Sequence, residues 1–399
     1  MTQNKTRINS ARTNITSSHQ QKEIQKPKIK TGEFDKPFFI LIMALMVIGL
    51  VMMFSASYYW GITKNGDGFY YAKKQIMISA AGIAAMILIS FIDYHIFFNK
   101  RMVTLIFCGA LGLLAITPFV GIERNGAKRW IRIGLEFQPS EIMKFAVIVL
   151  FAYLISKNYR KMKTFRYGIL PFFAILAVIA SLMILQPHFS GTLLICAIGI
   201  VMIFVGGAKL KHLVSIAVVG LSGLAAAGLL LMVSGKFTYF TARFKSWFDP
   251  FSDKTGETWQ TCQSLIAIGS GGLFGMGLGE SRQKYLYLPE AQNDFVFSIV
   301  CEELGLIGAM LVILLFVIFS FRGFYIASKA PDKFGMMLAV GLTAQISIQA
   351  MLNIAVVTNT VPNTGISLPF FSYGGTALAM QLAQMGVILN ISRQSLVED

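Results

Sequence analysis

In this chain of 399 residues, one aspartate stands where a polar loop turns back into an apolar run. Asp294 lies in the stretch GSGGLFGMGLGESRQKYLYLPEAQNDFVFSIVCEEL, residues 269–304. A carboxylate at such a boundary loses part of its water, which strengthens it as a base. The same position also suits the N-cap of a following helix. Arg282 and Lys284 are the nearest preceding cations that could meet an anion, and Glu290 lies between them and the aspartate. Glu302 and Glu303 follow about two turns on, and positions 294, 298 and 302 fall near one helical face. Glu302 therefore either pairs with a cation on a neighbouring helix or shares a wet cavity with Asp294.

A second pair, Glu141 and Lys144, stands three apart in QPSEIMKF at the start of an apolar run. On a helix they share a face and can pair. Charges within spans are costly and tend to be functional. The pair reads as an interhelix lock, as the lining of a cavity for a polar substrate, or as both. The stretch NGAKRWIRIG (125–134), preceded by Arg124, presents Lys128, Arg129 and Arg132. It reads as a plain basic loop or as a partner for phosphate. The glycine run 269–279 lacks GK[ST] and strand–helix context, so it is expected to be a tight turn rather than a nucleotide cradle. GxSxG and HExxH are absent. The four cysteines form no CxxC pair and the four histidines are scattered, so neither disulfides nor a zinc site is expected.

These residues must be positioned by membrane helices. The chain is 55% hydrophobic and only 14% charged, against about 25% charged in soluble domains. A span needs about 20 mostly apolar residues. The expected fold is an all-α integral membrane protein of about ten spans, near 37–57, 75–92, 102–119, 139–156, 168–185, 189–206, 213–233, 295–321, 334–358 and 369–392. Residues 1–36, with no signal-peptide core, read as a disordered basic arm. Residues 37–393 form the membrane domain and 394–399 a short tail. An even span count puts both termini on one side. With that side cytoplasmic, 21 of the 35 Lys and Arg fall inside and 13 outside, with Lys144 in a span. The net charge of +16 is thus topological, and nucleic-acid binding is excluded as its cause. The outer loop 234–294 is long enough to be functional. Its piece 237–251 could lie in the interface plane, with Trp247 and the phenylalanines in lipid.

The motifs NGAKRWI (125–131), FQPSEIMKF (137–145), RFKSWFDPF (243–251), 263–305 and 363–393 occur in this order across nearly the whole chain. Through them the chain resembles the SEDS family (shape, elongation, division and sporulation), which includes RodA, FtsW and SpoVE. YLPEAQNDFVF and GDGFYY (66–71) look more like the FtsW/SpoVE branch. The resemblance implies a peptidoglycan glycosyltransferase that polymerises lipid II at the outer membrane face, in septal or related cell-wall synthesis. It also implies a class B penicillin-binding transpeptidase as partner, with divisome proteins.

The resemblance puts the family's catalytic aspartate on Asp294, the arginine of its RFKSW motif on Arg243, and its important lysine on Lys144. Arg243, Lys128, Lys144, Arg282 and Lys284 are then the candidate diphosphate partners, with or without a divalent cation such as Mg or Mn. Glu141, Glu290 and Glu302 complete the expected substrate-binding set. Where many members read QPD, this chain has Gln186-Pro187-His188, and His188 is expected to be a neutral helix-end histidine. A transporter of lipid-linked precursors and a scaffold for the transpeptidase are the alternatives. The long outer loop that ends in Asp294 and the lack of an inverted repeat favour the enzyme.

Overall fold

The computed structural model describes residues 32–124, 127–214, 246–253, 256 and 258–394. The expected arm, the seventh span (213–233) and Arg243 lie wholly or mostly outside the described residues. The helices are α1 (Lys36–Asn65), α2 (Tyr70–Ser90), α3 (Lys100–Val120), α4 (Pro139–Asn158), a short α5 (Phe165–Gly168), α6 (Leu170–Ile184) and α7 (Phe189–Val205). After them come α8 (Trp259–Ser270), α9 (Val296–Ser328), α10 (Lys333–Val357) and α11 (Gly375–Gln394). Among the described residues, seven helical segments are long and apolar enough to cross a membrane, and α7 is a shorter apolar helix. The bundle is therefore a multi-pass membrane protein.

The basic stretch after α3 is more than a loop. Strands β1 (Ile122–Arg124), β2 (Ala127–Ile133) and β3 (Leu135–Phe137) form an antiparallel meander, with Ile122 opposite Trp130 and Ile131 opposite Phe137. Gly134, at φ 73°, makes the second turn.

Helices α4 and α10 form the centre. In each, 67% of the most apolar window is buried, against 22% in α3, which leaves the outer helices to face lipid. The first and last described residues meet on one face. Asp35 caps α1 by accepting from Phe38 N at 2.9 Å and holds Arg322 of α9 at 2.7 Å. Gly32 N donates to Arg393 O at 2.8 Å. Asp332 caps α10 through Phe334 N and Gly335 N and also accepts from the Tyr94 hydroxyl.

Helix α9 is broken at Gly305, whose φ 66° and ψ −167° belong to a region that L side chains avoid. The break exchanges hydrogen bonds with the turn after α8. In an unbroken helix, Leu306 and Ile307 would donate to Glu302 O and Glu303 O. Here those carbonyls accept from Met276 N (2.9 Å) and Gly277 N (3.0 Å). Leu306 N and Ile307 N donate instead to Gly272 O (2.9 Å) and Leu273 O (3.2 Å). Non-helical backbone at this depth is tolerable only when so satisfied. The exchange also explains the glycine run as a close approach: a Cβ on Gly271 or Gly275 would collide with the carbonyls of Cys301 and Glu303.

Gly305→Ala and Gly275→Ala each meet both strain and collision, and each is expected to destabilise the protein by about 1–3 kcal/mol or more. Gly109→Ala, on α3 with open space around it, is the control. Thermal unfolding in detergent checks this, with the first two variants melting several degrees early and the control unchanged.

Candidate active site

A cavity of about 1580 Å³ opens on the face away from the termini. Its wall is built from the end of α1, the start of α2, β2 and β3, the first turns of α4 and α7, the turn 290–294, and residues 365–381. The structure brings Asp294, Glu290, Glu141 and Lys144 together on this wall. Lys128, Arg282, Lys284 and Glu302 do not line it. Lys128 and Arg282 are exposed elsewhere.

Helix α4 carries the buried charges. Lys144 Nζ lies 2.7 Å from Glu141 Oε2 and donates to Gln349 Oε1 of α10 at 3.2 Å. Gln349 in turn donates to Ser367 O at 3.0 Å. The pair thus locks α4 to α10 and lines the cavity as well. Ser140, 3% exposed, brings a hydroxyl with no partner to the same wall. Beside it, Arg129 donates to Gln186 O and Pro187 O in the turn between α6 and α7, and Arg132 pairs with Glu136.

His188 sits in that turn, outside the two spans, 9% exposed, with Nε2 3.3 Å from Gln138 Nε2. Burial, reinforced by Arg129 and Lys144, lowers its pKa from 6.5 to about 3. It is neutral at physiological pH, as its place at a helix end suggested.

Asp294 is held by its main chain. Helix α9 starts at Val296 with Phe295 in the cap position, so Asp294 stands one residue before the cap. Asn353 of α10 donates to Asp294 O at 2.8 Å. Ser372 Oγ donates to Asn293 O, and Tyr373 N donates to Gln292 O at 2.8 Å. Gln75 of α2, fully buried, fixes this 372–374 strap at both ends. Its amide donates to Ser372 O at 3.2 Å and accepts from Gly374 N at 3.4 Å. Helix α11 starts at 375 rather than near 369 because the intervening residues form the strap. Within it Phe370 is buried at φ 65°. Asp294 Oδ2 would lie 3.1 Å from a Cβ on Gly365, so that glycine lets the carboxylate come close to the loop.

Lys284, Glu302 and Glu303 form a separate buried cluster behind the break in α9. Glu303 Oε1 accepts from Ser55 Oγ (2.6 Å), Lys284 Nζ (3.2 Å) and Ser281 N (3.3 Å). Glu302 accepts from Ser281 Oγ and from Arg282 N at 3.0 Å. Glu302 and Lys284 therefore hold the 281–284 loop against the broken helix, and neither reaches the cavity that Asp294 lines. Phe248 is 77% exposed, while the Trp247 indole donates to Asn359 O at 3.1 Å and pins its loop to the end of α10. No group of three or more His, Cys, Asp or Glu side chains that could hold a metal occurs among the described residues.

The family model described as a cell cycle protein, FtsW/RodA/SpoVE, matches residues 35–396. The chain belongs to this family. It is 43% identical to stage V sporulation protein E of Bacillus subtilis over 89% of this chain and 96% of that one. It is 37% identical to an FtsW protein of Trichlorobacter lovleyi, covering 93% and 96%. Two solved structures share the fold at 25% identity. A chain from a peptidoglycan synthase complex that coordinates polymerization and crosslinking aligns with TM-score 0.70, over 90% of this chain and 98% of that one. RodA of Thermus thermophilus aligns with TM-score 0.63, over 92% and 98%.

Within this family frame, several cavity residues had no role in the sequence reading. Lys74, Gln349 and Ser372 lie in or beside apolar runs, and a polar residue in such a run was the only signal for them. Lys284 is expected to be structural. Lys284→Met leaves Glu303 buried without its cation and should cost about 3–5 kcal/mol. Adding Glu303→Gln should recover most of that in a double-mutant thermal cycle. Wild-type melting of Lys284→Met would reject this role. His188 makes a pH prediction. Its folded pKa of about 3 lies below the ordinary 6.5, so the unfolded chain binds the proton that the folded chain refuses. Its contribution to stability is complete above pH 6.5 and declines as pH falls toward 3. Labelled-histidine NMR should find His188 neutral from pH 5 to 8, and His188→Gln should flatten the acid side of the stability profile.

Proposed function

We propose that this chain polymerises lipid II into glycan strands at the outer face of the cytoplasmic membrane, with Asp294 as the general base. The observation that carries this reading is one cavity that joins the Asp294 carboxylate to an apolar wall. That wall is made by Met77, Ile78, Ala81 and Ala85 of α2 and Leu194 and Ile195 of α7. A sugar carried on a polyprenyl diphosphate needs both surfaces. The FtsW relatives are named as peptidoglycan glycosyltransferases, which supports the same reading.

In the proposed step, Asp294 takes the proton of the acceptor's 4-hydroxyl. The freed oxygen bonds to the anomeric carbon of the donor sugar. The bond from that carbon to the diphosphate breaks, and its electron pair leaves with the diphosphate. Lys144 and Arg129, on the same wall, are the proposed cations for that charge. Arg243 and Lys128 remain candidates for substrate contact from outside the described cavity wall. The described residues provide no resident metal site. A divalent cation arriving on the diphosphate would meet Asp294 and Glu290 on the wall.

The proposed orientation has both termini in the cytoplasm, which follows the Lys and Arg bias. A class B penicillin-binding transpeptidase is the proposed partner, within division or related cell-wall machinery. The neighbour from a peptidoglycan synthase complex supports a partnership of this kind.

The test gives purified full-length protein, with its transpeptidase partner, labelled lipid II. Asp294→Asn should reduce polymer formation by about a hundredfold or more. Undiminished polymer in that variant removes Asp294 as the base. Lipid II movement without polymer would favour a transporter.

A further inference from the structure

Cations at the rim of a membrane bundle are costly to hold unless an acid accompanies them. Several of those described here have one. Lys144 pairs with Glu141 (2.7 Å), Lys284 with Glu303 (3.2 Å), Arg322 with Asp35 (2.7 Å) and Lys73 with Asp67 (2.9 Å). Arg132 pairs with Glu136.

Lys74 departs from this pattern. It is half-buried on the first turns of α2 and lines the cavity. Its Nζ donates to the Tyr70 hydroxyl and lies 4.1 Å from the centre of that ring. Among the described residues no carboxylate pairs with it. A ring face offsets only part of the cost of a cation. Two further donors share this wall. Lys64, exposed at the cavity mouth, stands over the Trp60 ring, 5.7 Å from its centre, with no acid paired to it among the described residues. The Trp60 indole N–H is buried and has no acceptor. Both residues line the cavity.

This part of the wall therefore offers two ammonium groups and an indole N–H, and none of the cavity's carboxylates pairs with them among the described residues. A ligand that brings its own negative charge completes it. The wall continues toward Asp294, because the Tyr71 ring meets the Tyr373 ring edge-on at 5.0 Å and Tyr373 N is bonded to Gln292 O. The apolar side chains of Met77 and Ile78 follow Lys74 along α2 into the same cavity.

We propose that Lys74, with Lys64 and the Trp60 indole, binds the diphosphate of one of the two polyprenyl-linked glycans that the enzyme joins. This is an anion subsite separate from Lys144 and Arg129. The proposal rests on the lipid II reading above. A polymerase that joins two such lipids must hold two diphosphates, and one cationic wall serves only one of them.

The test measures retention of labelled undecaprenyl diphosphate by the full-length protein in detergent, on the Asp294→Asn background where turnover is removed. Lys74→Met should weaken binding roughly tenfold, and Lys74→Arg should keep most of it. In the catalytically intact protein, Lys74→Met should raise the KM for lipid II with little change in kcat. Inorganic diphosphate should compete only at much higher concentration, which marks the ligand as lipid-borne. Competition by inorganic diphosphate at equal concentration overturns the lipid-linked assignment. Unchanged undecaprenyl diphosphate binding in Lys74→Met overturns the subsite, as does an equal loss in Lys74→Arg, which would indicate packing. If the wild type binds undecaprenyl diphosphate through Lys74 but makes no polymer from lipid II, the subsite stands and the proposed activity fails.

Discussion

The exchanged hydrogen bonds at Gly305 are the constraint on which the rest of the site depends. A continuous α9 would satisfy its own backbone and leave the turn 271–279 with nothing to hold. Because the helix breaks, two of its carbonyls accept from the turn and two of its N–H groups donate back to it. Each side is then unsatisfied without the other, and an unpaired amide in a membrane is costly. Glu302 and Glu303 add a second layer to the same joint by accepting from the 281–283 backbone and from Lys284. The long segment between α8 and α9 is thereby anchored at its middle, and its last residues, 290–294, are delivered to the cavity.

The far end of that segment is gripped by three elements distant in sequence. Asn353 comes from the buried centre of the bundle, and Ser372 and Tyr373 from the strap before α11. The strap is in turn fixed by Gln75 of α2. Helices α2, α10 and α11 therefore meet at the backbone of residues 292–294. Gln75 and Asn353 each reach backbone groups that have no helical partner, Gln75 at Ser372 O and Gly374 N and Asn353 at Asp294 O and Ile366 O, which gives these two buried amides a structural reason in apolar spans.

Much of this was legible in the sequence, and the boundary of legibility is physical. Span positions follow from local composition, and so did the break at 186–188. Asp294 stood out because a lone acid at the edge of an apolar run is conspicuous. Glu141 and Lys144 were paired correctly because an i,i+3 spacing is local. Reasoning from spacing alone failed where the chain closes on itself. Arg282, Lys284 and Glu302 lie near Asp294 in sequence, yet the break in α9 turns Lys284 and Glu302 toward the opposite side of the joint. Spacing on an ideal helix suggested that Asp294 and Glu302 share a face, but the helix begins only at Val296. The meander 122–137 was read as a loop because its strands are short. Gln75 and Lys74 were passed over because nothing within their own helix shows what they meet 300 residues later.

The grip on Asp294 is made through main-chain carbonyls at 292, 293 and 294, which any side chain at these positions would supply. An acid at that position is explained by the chemistry of the cavity and by Gly365, whose missing side chain leaves room for the carboxylate. The buried charges behind the joint are arranged in the opposite way. There the carboxylates themselves hold the loop, so their identity is fixed by structure. The two groups of acids lie within a dozen residues of each other in the chain. At Asp294 the main chain sets the position of the residue beside the cavity, whereas at Glu302 and Glu303 the carboxylates themselves hold the 281–284 loop.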